Sequence, residues 1–131
     1  MTSSVRLARR SIAGYLVERG IDASTIERVT LAVSELCTNA VEAAHGESQS
    51  FRVEAEVSEL GEVRCLVANT ASLRDLPAPD RWGPSDPMAP RGRGLAIVRN
   101  VADDLIVAAL DGEVVLEARF RMRPAAGTTA H

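Results

Sequence analysis

Hydrophobic residues recur every three or four positions in the first third of the chain, which predicts two amphipathic helices. The first helix spans 5–19, and Gly20 stands where a C-terminal cap belongs. The second spans 24–45. It begins with Ser24 and Glu27, the S-x-x-E pattern of a capping box.

Alternating apolar and polar residues in four shorter segments predict four β-strands. These segments span 51–57, 63–67, 105–110 and 114–120. Leu60-Gly61 supplies the turn of the first strand pair and Asp111-Gly112 that of the second, since Asp-Gly favours tight hairpin turns. The strands therefore form two predicted hairpins.

A proline-rich segment, 70–91, separates the two hairpins and is predicted to be a long loop of the kind that often serves as a lid. Gly92-Arg93-Gly94 then opens a third helix, which runs through Val101. The tail from about 124 is small and polar and is predicted to fray. This order predicts an α+β fold with helices on one face of a largely antiparallel sheet.

The composition narrows the class of protein. With 131 residues, 46% of them hydrophobic, the chain is predicted to form one domain, 1–131. A formal net charge of -3 argues against direct nucleic-acid binding. We also predict a cytoplasmic protein with no membrane contact, because the sequence shows neither a signal peptide nor an apolar run of the roughly 20 residues that cross a bilayer.

The sequence contains no lysine, and all 15 of its basic residues are arginine. This excludes a Walker A loop, a eukaryotic-type protein kinase and a pyridoxal Schiff base, all of which require a lysine amine. Cys37 and Cys65 lie in apolar surroundings without metal-ligand spacing, so both are predicted to be reduced core residues.

Glu35 and Asn39 are four residues apart on the second predicted helix, and therefore on one side of it. An amide oxygen can bind Mg²⁺ while a neighbouring carboxylate orients a hydroxyl or a water. The alternative is that both side chains simply face solvent on an amphipathic helix.

Arg91-Gly92-Arg93-Gly94 precedes the third predicted helix. Two glycines allow a close approach of the backbone to an anion, and the helix N-terminus attracts phosphate. Arg91 and Arg93 can neutralise the phosphate charge. The alternative is that the two glycines only make the connection between a loop and a helix flexible.

Together these segments resemble the GHKL (histidine-kinase-like) ATPase superfamily, and within it the short anti-sigma-factor serine kinases. The resemblance rests on Leu-Ala-Val-Ser-Glu-Leu-Cys-Thr-Asn at 31–39 and Gly-Arg-Gly-Leu-Ala-Ile-Val at 92–98. It implies a Bergerat-type fold, a two-layer α/β sandwich with helices on one face of a mostly antiparallel mixed sheet.

The resemblance also implies roles for single residues. Glu35 corresponds to the family's general base and Asn39 to its Mg²⁺ ligand. Gly92, Gly94 and Leu95 correspond to the segment that wraps the phosphates of ATP beneath a lid, here 70–91.

One motif departs from the family pattern. The adenine-binding segment of the family reads Asp-x-Gly-x-Gly, whereas this chain has Asn69-Thr-Ala-Ser after the second strand. The amide oxygen of Asn69 can still accept a hydrogen bond from adenine, although more weakly than a carboxylate.

By resemblance, the chain is expected to be an anti-sigma factor that binds ATP and Mg²⁺. It would hold a sigma factor, phosphorylate a serine or threonine of a STAS-type anti-anti-sigma protein, and form a homodimer. The alternative is a non-catalytic protein-binding regulator on the same scaffold, with weak or no ATP binding. A third interpretation, the ATPase part of a sensor histidine kinase, requires dimerisation helices and a phosphoacceptor segment that these residues do not include.

Overall fold

A computed structural model describes residues 3–43, 51–69, 90–110 and 113–121, with the side chains of 41–43, 90–93 and 110 left out. The elements are α1 (Ser3–Glu18), α2 (Ala23–Ala43), β1 (Arg52–Val57), β2 (Val63–Asn69), α3 (Pro90–Val101), β3 (Asp104–Leu110) and β4 (Glu113–Phe120). Most of the predicted lid, 70–89, and the predicted tail from 124 lie outside the described residues.

The four strands form one open sheet in the order β1-β2-β4-β3. Every described strand pair is antiparallel, so the sheet is not mixed in this part of the chain. Val67 pairs with Val53 on one side and with Leu116 on the other. The α+β class predicted from the sequence is confirmed.

All three helices pack on the same face of this sheet, with α2 over the central strands, α1 near β1 and α3 near β3. The side chains that point from the sheet toward the helices are almost fully buried: Val63, Cys65, Val67, Leu116, Ala118 and Phe120. The opposite face carries ion pairs such as Arg64 with Glu56 at 2.8 Å. The core therefore lies between the helices and one face of the sheet.

The C-terminus of α1 has the cap that the sequence predicts. Gly20 has a φ of 76°, a backbone conformation that glycine adopts without steric cost. The Gly20 amide donates to the Val17 carbonyl at 3.0 Å, and the Ile21 amide donates to the Leu16 carbonyl at 3.1 Å. These two bonds form a Schellman motif, which turns the chain into α2.

The predicted cap of α2 is wrong. Asp22, not Ser24, caps the helix: its carboxylate accepts from the Thr25 amide at 3.0 Å and from the Thr25 hydroxyl at 2.7 Å. These bonds hold the pKa of Asp22 below its ordinary value of 3.8. Aspartate is as good an N-cap as serine, and a start at Ala23 buries Thr25 against the core.

The predicted start of α3 also needs correction, because the helix begins at Pro90 and not at Gly92. Proline is favoured at the first helical position, where no partner exists for a backbone N–H. Gly92 and Gly94 therefore lie inside the first turns of α3.

Within the described residues, no helix is both long enough and apolar enough to cross a membrane.

Cys37 on α2 and Cys65 on β2 are free and buried, as predicted. Burial raises the pKa of each thiol to about 12. Both are therefore uncharged core residues at neutral pH.

Candidate functional site

Glu35 and Gly94 bring α2 and α3 into close contact. A Cβ atom built on Gly94 would lie 2.9 Å from a carboxylate oxygen of Glu35. Real Cβ atoms do not approach oxygen so closely, so any larger residue at position 94 would displace the carboxylate. The structure thus joins the two sequence segments that we singled out, at a point where only glycine fits without a shift.

Asn39 lies one turn beyond Glu35 and is buried, with 5% of its surface exposed. The interpretation that both residues simply face solvent is therefore wrong for Asn39. Its Oδ1 atom is buried and accepts no hydrogen bond from the described residues. A buried amide oxygen without a donor is destabilising, and Oδ1 of Asn39 is therefore available to accept from or coordinate a ligand.

Asn69 ends β2 and is also buried. Its side-chain Nδ2 donates to the main-chain carbonyl of Ala40 on α2 at 3.3 Å. This bond uses one of the two N–H groups of the amide, and Oδ1 is the acceptor that Asn69 can offer to a ligand. Asn69 thereby lies beside the turn of α2 that carries Asn39.

The remaining predicted residues lie on α3. Arg91, Gly92 and Arg93 belong to its first turn, and the two arginine side chains fall outside the described residues. Leu95 is 1% exposed and packs in the core, so it would reach a nucleotide only through its backbone. The first amides of α3 have no partner within the helix, which is the feature that helices use when they bind phosphate.

The sequence interpretation missed Arg28, which lies on the side of α2 that faces α3. Its guanidinium donates to the Val101 carbonyl at 3.1 Å and to the Arg121 carbonyl at 3.3 Å. No local pattern identifies this residue, since its partners lie 73 and 93 positions along the chain. Its spacing of two helical turns before Glu35 is the one signal that the sequence offers.

The donor set fits Mg²⁺ bound with a nucleotide. Asn39 offers a buried amide oxygen and Glu35 a half-buried carboxylate on the same side of α2. Magnesium prefers such oxygen ligands, and it retains waters and phosphate oxygens in the other positions. Among the described residues no cluster of three or more His, Cys, Asp or Glu side chains could hold a metal by itself.

Comparisons with known proteins agree with this fold. The model of the histidine kinase-like ATPase domain family matches residues 2–120. The fold resembles the crystal structure of the RsbU and RsbW domains of Rv1364c from Mycobacterium tuberculosis, with a TM-score of 0.69 and 25% identity. That match covers 98% of this chain and 32% of the other, so the chain spans about a third of that protein. No protein of curated function matches the sequence. The chain belongs to the histidine kinase-like ATPase domain family.

Proposed function

We propose that this chain is an ATP-binding anti-sigma regulator that holds a sigma factor and phosphorylates a serine or threonine of a STAS-type antagonist. The observation that carries the proposal is the buried, unpartnered Oδ1 of Asn39, one turn from the carboxylate that contacts Gly94. Family membership and the likeness to a structure with an RsbW domain support it.

Each part of the site has a role in this proposal. Asn39 would hold Mg²⁺ through Oδ1, and the amides at the start of α3 would hold phosphate oxygens. Glu35 would orient the hydroxyl of the target protein and accept its proton. Bound ATP would supply the phosphoryl group. In phosphoryl transfer the protein mainly positions groups and stabilises charge, which these residues can do.

The exposed face of α1 supports a protein partner. Arg6, Arg9 and Arg10 line an open depression with Ala13, and the three arginines form no ion pair with the described residues. Like charges four residues apart on a helix destabilise it slightly. Leu7, on the same helix, is 66% exposed. An acidic, partly apolar surface of a partner would neutralise the arginines and cover the leucine.

The second candidate is a regulator that acts by protein contact alone, with weak or no nucleotide use. The Asn69 segment favours it, because an uncharged amide replaces the adenine-binding aspartate of the family and the family's glycines are absent. The arginine face of α1 is equally consistent with this candidate. The two candidates differ in whether partner binding responds to ATP.

Reconstitution with purified proteins separates the candidates. Sigma factors and STAS-domain proteins encoded in the same genome would be mixed with this chain and radiolabelled Mg·ATP, and both phosphate transfer and complex formation would be measured. The proposed kinase labels a STAS protein on serine or threonine and releases the sigma factor. A sigma complex that forms equally well with and without ATP, and no label on any STAS protein, would favour the binding module.

Two variants test the proposed roles of single residues. Glu35→Gln should abolish labelling while sigma binding persists, because the amide cannot accept the hydroxyl proton. Arg9→Glu should weaken the sigma complex, and the loss should be larger at low salt, where surface charges are less screened. Labelling that survives Glu35→Gln would remove the assigned role of Glu35.

A further inference from the structure

Arg28 ties together three elements that meet at one end of the helical layer. Besides the two carbonyl bonds, its guanidinium lies 3.9 Å from the Asp103 carboxylate and 5.8 Å from the centre of the Phe120 ring. Only 16% of the Arg28 side chain is exposed. These contacts join α2 to the C-terminus of α3 and to the end of β4.

The contacts between α2 and α3 occur at matching intervals. Arg28 contacts Val101, and Glu35 contacts Gly94. Glu35 lies seven residues after Arg28, and Val101 lies seven residues after Gly94. Seven residues are about two helical turns, or roughly 10 Å along the axis. The two helices therefore run antiparallel, pinned at two points that are equally spaced on each.

A guanidinium suits the contact at Val101, where α3 ends. The last carbonyls of a helix lack partners and carry partial negative charge, so a cation that donates to them is stabilising. Arginine also presents several N–H groups in a rigid fork, and here it reaches the last carbonyl of α3 and the Arg121 carbonyl just after β4 at once. A lysine ammonium offers the charge without the fork.

The end of β4 is itself fixed to the segment that follows α3. The Asp103 amide donates to the Arg119 carbonyl at 2.8 Å, and the Arg121 amide donates to the Asp103 carboxylate at 2.6 Å. Arg28 thus contacts a junction that is hydrogen-bonded to the sheet and not a free helix end. Sliding of α3 along α2 would break its bond to Val101.

We infer that Arg28 is a positioning residue: it fixes the axial position of α3 against α2 and thereby the approach of Gly94 to Glu35. The inference rests on the proposed function only for its consequence, which is that the start of α3 meets the nucleotide phosphates beside Glu35. The axial position of α3 against α2, here called the register of the two helices, is a property of the fold and is tested without any nucleotide.

The test compares Arg28→Met with Arg64→Met, which removes a paired arginine from the opposite face of the sheet. Amide NMR spectra of the protein without nucleotide would report the Gly94 and Leu95 resonances. We expect both to shift in Arg28→Met and to stay in place in Arg64→Met. Arg28→Lys should give intermediate shifts, because it keeps the charge but not both carbonyl bonds. This milder variant also covers the case in which Arg28→Met does not fold.

Asp103→Asn separates the ion pair from the carbonyl bonds, because the amide oxygen can still accept from Arg121. It should leave the Gly94 resonance near its original position. If shifts in Arg28→Met stay confined to the residues around Val101, the positioning role is wrong, whatever the result with ATP. If the resonances move as expected and ATP still binds with unchanged affinity, the register holds but its link to the nucleotide fails. We expect the affinity of Arg28→Met for ATP to be about tenfold lower than that of the parent protein, a difference of about 1.4 kcal/mol.

Discussion

A carboxylate oxygen of Glu35 lies 2.9 Å from the point where a Cβ atom on Gly94 would stand. The contact joins the acidic residue proposed as the base to the helix proposed to hold phosphate. The glycine is therefore required by packing against the Glu35 carboxylate and not by backbone conformation, since no positive φ occurs at this position.

Gly94→Ala should displace the Glu35 carboxylate while the fold survives. Alanine favours the helix by about 1 kcal/mol over glycine, and the displaced group is the end of a flexible side chain, so the free energy of unfolding should change by less than about 1 kcal/mol. Phosphate transfer should fall sharply. Urea unfolding and the labelling assay measure the two effects.

Gly14→Ala is the matched control, because nothing lies within 4 Å of a Cβ atom at that position on α1. It should raise the free energy of unfolding by about 0.5–1 kcal/mol and leave phosphate transfer unchanged. Full transfer activity in Gly94→Ala would show that the close approach to Glu35 has no functional role.

Asn69→Asp restores the residue typical of the family and should destabilise this protein. Aspartate cannot donate, so the bond to the Ala40 carbonyl would be lost and a carboxylate oxygen would face that carbonyl in a buried place. The loss should be about 1–3 kcal/mol in urea unfolding at neutral pH. Unchanged or increased stability would mean that the amide bond to α2 is unimportant.

The two buried thiols predict a loss of stability at alkaline pH. The pKa of each rises from 9.0 to about 12 on folding, so the thiols of the unfolded chain ionise first as the pH increases. Ionisation stabilises the unfolded state, and the free energy of unfolding therefore falls as the pH rises above 9. Stability should be insensitive to these groups below about pH 8. A Cys37→Ala, Cys65→Ala double variant should lose less stability than the parent between pH 9 and 11. An identical pH dependence in the two proteins would contradict the buried, neutral state of the thiols.

Local signals predicted the elements of this fold well. The Gly20 cap and the turn at Gly61, which has a φ of 84°, both follow from backbone needs that only a few residues satisfy. The start of α2 was misplaced because Asp22 and Ser24 are both good caps, and burial of Thr25 decides between them. Pro90 was assigned to a loop because prolines crowd the preceding segment, although proline is acceptable at a first helical position.

The site could be predicted only in part. Helical spacing places Glu35 and Asn39 on one side of α2, but their roles, like that of the glycines of α3, rest on the resemblance to the family. The contacts that bring these residues together could not be predicted from the sequence. The bonds of Arg28 to Val101 and of Asn69 to Ala40 join residues 73 and 29 positions apart, and depend on how α2 packs against α3 and β2.

Calorimetric titration of ATP with and without Mg²⁺ tests the central claim most directly. The parent protein should bind ATP more tightly with Mg²⁺, and Asn39→Ala should lose that difference. Ser34→Ala is the matched control, since Ser34 also has a buried, unpartnered oxygen on α2 but lies about 140° around the helix from Asn39; it should keep the full magnesium dependence. No binding by the parent protein, or an Asn39→Ala variant with the same magnesium dependence as the parent, would contradict the nucleotide site proposed for this chain.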